Sequence, residues 1–193
     1  MGLEKFLATS EGEFVENPRH LRRAEAELKR TQRRVSKLRA GGSRRRKMVQ
    51  TLARRHRRVR RARRDFHFKA ALRLVRQYDT IAVEDLNVRG LARGMLAKSV
   101  ADAGWSQFIG ILCAKAEEAA RTVTLVNPNG TSQVCSGCRC KPSERKTLSV
   151  RTHRCTECGL EIDRDVNAAI NILHLAATEQ RGRADPSASG MRQ

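Results

Sequence analysis

Four cysteines stand in two C-x-x-C pairs, Cys135-Ser136-Gly137-Cys138 and Cys155-Thr156-Glu157-Cys158, with 16 residues between them. A C-x-x-C turn aims two thiolates at one point, and two such turns complete the tetrahedral four-sulfur set that suits Zn2+. A closed set leaves no position for a reacting water, so its expected role is structural. Gly159 follows the second pair and suits the positive φ such a turn needs. Arg139 follows the first, so that turn is expected to be less regular. Cys140 is an alternative to Cys138 as a ligand, and Cys113, distant in sequence, is expected in a core. A ribbon this small cannot bury a core of its own, so metal binding should supply much of its folding free energy.

Carboxylates form the second group. Glu84 and Asp85 follow the apolar run Thr80-Ile81-Ala82-Val83, and Asp163 and Asp165 precede Val166-Asn167-Ala168-Ala169-Ile170. Asp165 reads most simply as the N-cap of a helix from Val166, and Glu84 as an exposed strand end. Acids at the ends of neighbouring elements can instead converge on hydrated Mg2+, and two such ions catalyse in-line phosphodiester hydrolysis.

The third group is cationic. Lys and Arg total 40 against 20 Asp and Glu, a formal charge of +20. Self-repulsion of that size opposes compaction unless a polyanion neutralises it, and the usual polyanion is nucleic acid. A cationic membrane-surface protein would want exposed aromatics beside the bases, but aromatics are only 4% here. Between Arg44 and Arg64 no acid interrupts the bases. A solvated helix face normally mixes signs, so Arg44, Arg45, Arg46, Lys47, Arg54, Arg55, Arg57, Arg58, Arg61 and Arg64 are candidates for tracking phosphates. No apolar run approaches a membrane span and no export signal opens the chain, so a cytoplasmic, reducing setting is expected, where cysteines bind metal rather than pair.

The elements that must carry these groups follow from pattern. Leu3–Thr9 and Phe14-Val15, separated by Ser10-Glu11-Gly12-Glu13, read as a hairpin. Leu21, Ala24, Leu28, Thr31, Val35 and Leu38 mark a helical apolar seam, ended by Gly41-Gly42-Ser43, with Ser43 placed to cap the next helix. That second helix carries Leu52, Val59, Phe66 and Leu74, and the short loop makes the pair antiparallel. Thr80–Val83 and Thr122–Val126 read as buried strands, and 100–120 as one amphipathic helix containing Trp105, Phe108, Leu112 and Ala116. A helix follows Asp165, and the tail from Thr178 reads as disordered.

Four stretches resemble one family, in that family's order. They are Gly2–Ser10, Ile81-Ala-Val-Glu-Asp-Leu-Asn-Val88, Thr131-Ser-Gln-Val-Cys-Ser-Gly-Cys138 and Asp163-Arg-Asp-Val-Asn-Ala-Ala-Ile-Asn-Ile172. The chain resembles the C-terminal part of the transposon-encoded TnpB (OrfB) proteins, RNA-guided DNA nucleases related to type V CRISPR effectors. The resemblance implies an α/β fold: a partial RNase H-like (RuvC) mixed sheet, a basic antiparallel helical hairpin and an inserted zinc ribbon. It divides the chain into a sheet hairpin (1–18), the basic hairpin (19–77), a RuvC-like core (78–131), the zinc ribbon (132–162), a final helix (163–177) and a tail (178–193). It makes Glu84 the second and Asp165 the third catalytic acid, with Asp85 and Asp163 as neighbours, and Mg2+ as the catalytic ion. It sets the hairpin against guide RNA or the guide–target heteroduplex, read by backbone shape.

In the family the first catalytic Asp lies two residues before the glycine that matches Gly2. The chain starts at Met1, so the resemblance implies that this Asp and the family's N-terminal domains are absent, and that the polypeptide alone does not cleave DNA. The expected function is that of a transposon-associated nucleic-acid binder with an incomplete nuclease site. A non-catalytic zinc-ribbon remnant or regulator is the alternative. An RNA- or ribosome-associated zinc-ribbon protein would explain charge and cysteines but not the two acidic motifs.

Overall fold

Helix formers dominate residues 20–77 and only Gly41-Gly42 interrupt them, so the local preference is two helices with one break. In the computed structural model, which describes residues 1–141 and 150–184, α1 spans His20–Lys37 and α2 spans Ser43–Gln77. Ser43 is the first helical residue rather than the cap, and Arg46 N–H donates to the carbonyl of Gly42. No acid lies in the first turn of α1, and the residue before it, Arg19, is left-handed with φ 49°. The orphan amides of that end are capped from a distance: Asp102 accepts from the N–H of Leu21 (2.8 Å) and of Arg22 (3.1 Å).

Before the helices, β1 (Lys5–Ala8) pairs antiparallel with β2 (Phe14–Glu16), with a bulge between Lys5 and Leu7. Gly12 turns the hairpin at φ 85°. After them, β3 (Thr80–Glu84) pairs in parallel with a later strand, Thr122–Val126, in unbroken register from Thr80 opposite Thr122 to Glu84 opposite Val126. Between the two strands come α3 (Val88–Leu91), α4 (Ala97–Ala103) and α5 (Trp105–Glu118), the later strand being β4. The cysteine segment contributes β5 (Thr152–Arg154) and β6 (Glu161–Asp163), paired antiparallel, and α6 (Arg164–Ala184) closes the fold.

The described residues divide into two compact units. One comprises Pro18–Arg73 and Val88–Lys115. Its core is Trp105, Phe108 and Leu112 with the fully buried His67, whose Nε2 donates to the carbonyl of Ala103 at 2.9 Å. The rings of His20, Phe66, His67 and Phe108 follow one another edge-on or tilted at 5.8–6.2 Å. The other unit comprises Met1–Asn17, Leu74–Asn87 and Ala116–Gln193. There Val126, Ile172 and Ala176 form a buried cluster with Ala82 against it, so α6 packs on the β3–β4 pair.

Several expectations change. The strands form three separate two-stranded sheets among the described residues, not one mixed sheet. β3 and β4 are half-exposed rather than buried, and Leu125 is 48% exposed, because two strands cannot cover both of their own faces. The helix read across 100–120 is two, broken at Gly104, which takes φ 65° and ends α4. Residues 88–115 group with the helical hairpin rather than with β3 and β4. The closing helix continues past 177 to Ala184, since Ala176–Ala184 holds mostly good helix formers. The final residues, 185–193, and positions 142–149 of the cysteine segment lie outside the described residues. Among the described residues no helix is long and apolar enough to cross a membrane.

Candidate functional site

The two C-x-x-C turns are built alike. Arg139 N–H donates to the carbonyl of Cys135 and Gly159 N–H to that of Cys155, each at 3.0 Å. Cys135 N–H donates to Cys140 and Cys155 N–H to Leu160, which closes each knuckle. Both turns need a left-handed residue after the second cysteine. Gly159 adopts φ 73° without strain, and Arg139 adopts φ 66° in spite of its side chain. The first turn is therefore as regular as the second.

The four sulfurs of Cys135, Cys138, Cys155 and Cys158 all lie within 4.8 Å of one another. Cys135 and Cys158 are 3.7 Å apart, and Cys138 and Cys155 3.5 Å. Tetrahedral zinc–sulfur bonds of about 2.3 Å require sulfurs roughly 3.8 Å apart, so these two pairs stand near the spacing that ion needs. Of the two neighbours, Cys138 joins the cluster and Cys140 is exposed outside it. Cys113 is half-buried on α5 rather than in the core. The N–H of Cys158 and then that of Glu157 point at Cys155 and hold its thiol at about 6, below its usual range. At Cys138 the N–H of Cys140 pulls the same way, but burial and the neighbouring thiols outweigh it and push the group up. Gly137 matters for space: a side chain there would lean on Leu160 at 3.4 Å and on the sulfurs of Cys158 and Cys135 at 3.6 and 3.8 Å.

Two side chains that the sequence reading passed over tie the first knuckle to α6. Asn167 and Asn171 sit one turn apart on one helix face and are 0% and 2% exposed. Asn167 accepts from Ser136 N–H (2.9 Å) and donates to the carbonyl of Val134 (2.8 Å). Asn171 donates to the carbonyls of Thr131 and Val134 (both 2.8 Å) and accepts from the Arg139 guanidinium (2.9 Å). The available signal was an i, i+4 asparagine pair within the apolar run Val166–Leu173, where buried amides need fixed partners.

The acids occupy the same unit. Glu84 ends β3, and its Oε2 lies 2.8 Å from the Met1 amine, with the carboxylate side chain 14% exposed. Asp165 sits in the first turn of α6, half-buried, and its carboxylate takes no partner among the described residues. A Cβ at Gly2 would lie 3.8 Å from Asp165 Oδ2, so the Met1-Gly2 segment reaches both acids. The capping role expected of Asp165 belongs to Asp163, whose Oδ1 accepts from the N–H of Asp165 (2.8 Å) and Val166 (3.2 Å). That leaves the Asp165 side chain unused by the helix end. Asp85 is exposed. Among the described residues the cysteines alone gather three or more metal-ligating side chains, and the carboxylates do not.

The ten predicted cations of α2 do not behave alike. Arg54, Arg57, Arg58 and Arg61 are exposed and line one shallow groove with Ala62 and Asp65. Arg44, Arg46 and Lys47 are exposed near the start of α2, and Arg45 is half-buried. Arg64 lies over the Phe68 ring at 5.3 Å. Arg55 turns inward, paired with Glu27 at 2.8 Å and bonded to Thr31 Oγ1, so it braces the hairpin.

Comparison with known proteins bears on this arrangement. Residues 1–95 match the family described as "Probable transposase", and residues 105–172 the family described as "Cas12f1-like, TNB domain". A "Putative RNA-guided DNA endonuclease" of Streptomyces pristinaespiralis is 37% identical over 174 residues, 89% of this chain and 43% of that protein. A TnpB-like protein of Acanthamoeba polyphaga mimivirus is 30% identical over 138 residues, 67% of this chain and 26% of its own length. The chain spans less than half the length of these curated relatives. The solved "Cas12f1-sgRNA-target DNA complex" aligns with TM-score 0.56 and 17% identity, over 83% of this chain and 43% of that one, which shows a shared fold. With four cysteines gathered so that they could hold a metal ion, in a mixed α/β fold, the chain is a relative of the TnpB and Cas12f1-like proteins.

Proposed function

We propose that this chain is the RuvC-like, zinc-ribbon part of a transposon-associated, RNA-guided DNA nuclease. In this reading Zn2+ sits on Cys135, Cys138, Cys155 and Cys158 and holds the ribbon in shape. Glu84 and Asp165 face a common Mg2+ position, and the basic hairpin lies along the phosphates of guide RNA or a heteroduplex. The domain divisions follow the sequence reading, with the final helix lengthened and 88–115 assigned to the hairpin unit.

The observation that carries the reading is the placement of Glu84 and Asp165. They come from motifs 81 residues apart, yet both reach the Met1-Gly2 segment. The Asp165 carboxylate has no structural employment, because Asp163 already caps α6. Bound Mg2+ would polarise a phosphodiester and its attacking water. The protein's own part is to hold two carboxylates at the ends of β3 and α6 and to fix the latter through the Asn167–Asn171 clamp.

A second reading, a non-catalytic nucleic-acid-binding remnant or regulator, is favoured by one observation. Glu84 and Asp165 each lie beside the Met1-Gly2 segment, but among the described residues no group of three or more metal-ligating side chains includes them. Both readings require duplex binding and one zinc per chain. Elemental analysis of purified protein tests the second requirement. Cys138→Ser should lose the metal and Cys140→Ser keep it, and the reverse result would reject the ligand set. A supercoiled-plasmid assay with Mg2+ tests the remnant reading. The remnant reading expects no nicking at all, whereas nicking that vanishes in both Glu84→Gln and Asp165→Asn would establish a working nuclease.

A further inference from the structure

The two cysteine turns reach α6 by different routes. The second reaches it along the chain, because Cys158 leads into β6 and β6 ends at Asp163, the residue before α6. That stretch is held as it runs. β6 pairs with β5 from Arg154 opposite Glu161 to Thr152 opposite Asp163, and Arg164 N–H donates to the carbonyl of Arg151 at 2.7 Å. Asp163 Oδ1 then takes the N–H groups of Asp165 and Val166. The first turn reaches the same helix through side chains. Ser136 N–H donates to Asn167 at 2.9 Å, Asn167 donates to the carbonyl of Val134 at 2.8 Å, and the Arg139 guanidinium donates to Asn171 at 2.9 Å.

A metal ion shared by Cys135, Cys138, Cys155 and Cys158 joins the two routes into one closed path. The path runs from the first turn through Asn167 to the start of α6, back through Asp163 and β6 to the second turn, and across the sulfurs. Asp165 lies inside it, two residues after Asp163 and two before Asn167. A ribbon of this size is too small for an apolar core that would hold its turns together once the ion leaves, so the path opens there. Arg139 bears on the same point. It adopts φ 66° where glycine carries no strain, as Gly159 does at the matching position, and a glycine could not reach Asn171.

We infer that metal occupancy of the cysteines sets the position of the Asp165 carboxylate, with Asn167 and Asp163 as the positioning residues that transmit it. This deepens the proposed function and rests on it for the use made of Asp165. The two events form one linked equilibrium, and linkage is reciprocal. Losing the ribbon ion loosens the first turn of α6 and weakens cation binding there. A cation held at Glu84 and Asp165 in turn tightens the hold on the ribbon ion.

The test follows backbone amide exchange by NMR in the full chain, with metal content measured on every sample. Chelation of the unaltered protein should speed exchange at Asp165 and Val166 about tenfold, and at Ile172 and Ala176, buried against β3 and β4, less than about twofold. Asn167→Ala with its metal retained should exchange fast at Asp165 and Val166 before chelation, and chelation should then add little. Arg139→Gly, which keeps the turn and cuts the second tie, should act in the same direction and serves if Asn167→Ala loses its metal. Unchanged exchange at Asp165 and Val166 after chelation would overturn the coupling and leave the proposed nuclease site standing. An equal rise along all of α6 would overturn it too, since that marks general loosening rather than a link. Mn2+ titration followed by electron paramagnetic resonance gives the second readout. A site that Asp165→Asn abolishes should bind about fivefold more weakly in Asn167→Ala, the low end of ordinary coupling between sites, and undiminished affinity there refutes the link. If the unaltered, zinc-loaded protein has no Mn2+ site that depends on Asp165, the proposed function falls and amide exchange alone decides the coupling.

Discussion

At the residue scale, the informative side chains are those whose polarity is satisfied in one place only. Asn167 and Asn171 are buried on α6 and spend every amide group on the loop from Thr131 to Arg139. Removing one leaves part-buried backbone groups such as Ser136 N–H without their partner, at a cost of about 1–3 kcal/mol each. Asn167→Ala and Asn171→Ala are therefore expected to lower unfolding free energy by that amount in urea titrations, and a change below 0.5 kcal/mol would deny the clamp. His67 makes a prediction in pH. Burial, foremost, lowers its pKa below the ordinary 6.5, and burial does the same to His20. The unfolded chain then takes up protons more readily than the folded one. Stability is full above about 6.5 and declines as pH falls below it. Thermal midpoints should drop between pH 7.5 and 5.5, and a flat profile would show that neither ring resists protonation. Glu25, held at about 2 by Lys29 and Lys98, works in the same direction only below its ordinary 4.5, outside that window.

At the element scale, the break between α4 and α5 shows how one residue redirects a continuous apolar pattern. Residues 97–118 alternate like a single helix, but Gly104 sits at φ 65°, and a Cβ there would meet Arg63 Cδ and His67 Cε1 at 3.2 Å. Gly104→Ala adds left-handed strain of about 1–2 kcal/mol before any crowding. A loss of at least that much in the unfolding free energy is expected, and an unchanged or raised value would mean the break is not required. The capping of α1 by Asp102 is the same lesson in reverse. Nothing local to His20 announces a cap, since the carboxylate arrives from 81 positions away.

At the scale of the whole molecule, a net charge of +20 and two compact units determine how the protein responds to its surroundings. The four-cysteine cluster and its asparagine clamp lie wholly within one unit. Chelation should therefore act on that unit first. Hydrogen exchange after zinc removal is expected to deprotect the knuckles, β5, β6 and the start of α6, while α1 and the middle of α2 keep their protection. Uniform loss in both units would show that the cluster stabilises the molecule as one cooperative block.

The sequence by itself determined what is local. C-x-x-C spacing picks out the ligand turns, the Gly-Gly break separates two helices, and β-branched runs mark β3 and β4, because each feature acts over a few neighbouring residues. The family relationship was legible for the same reason, in short contiguous motifs. What only the tertiary structure decided involves partners distant in the chain. It gathered Cys138 with the other three cysteines and left Cys140 outside, freed Asp165 by giving the cap to Asp163, and turned Arg55 inward. Spacing can nominate a donor or a charge, but which group it meets depends on where folding brings the rest of the chain.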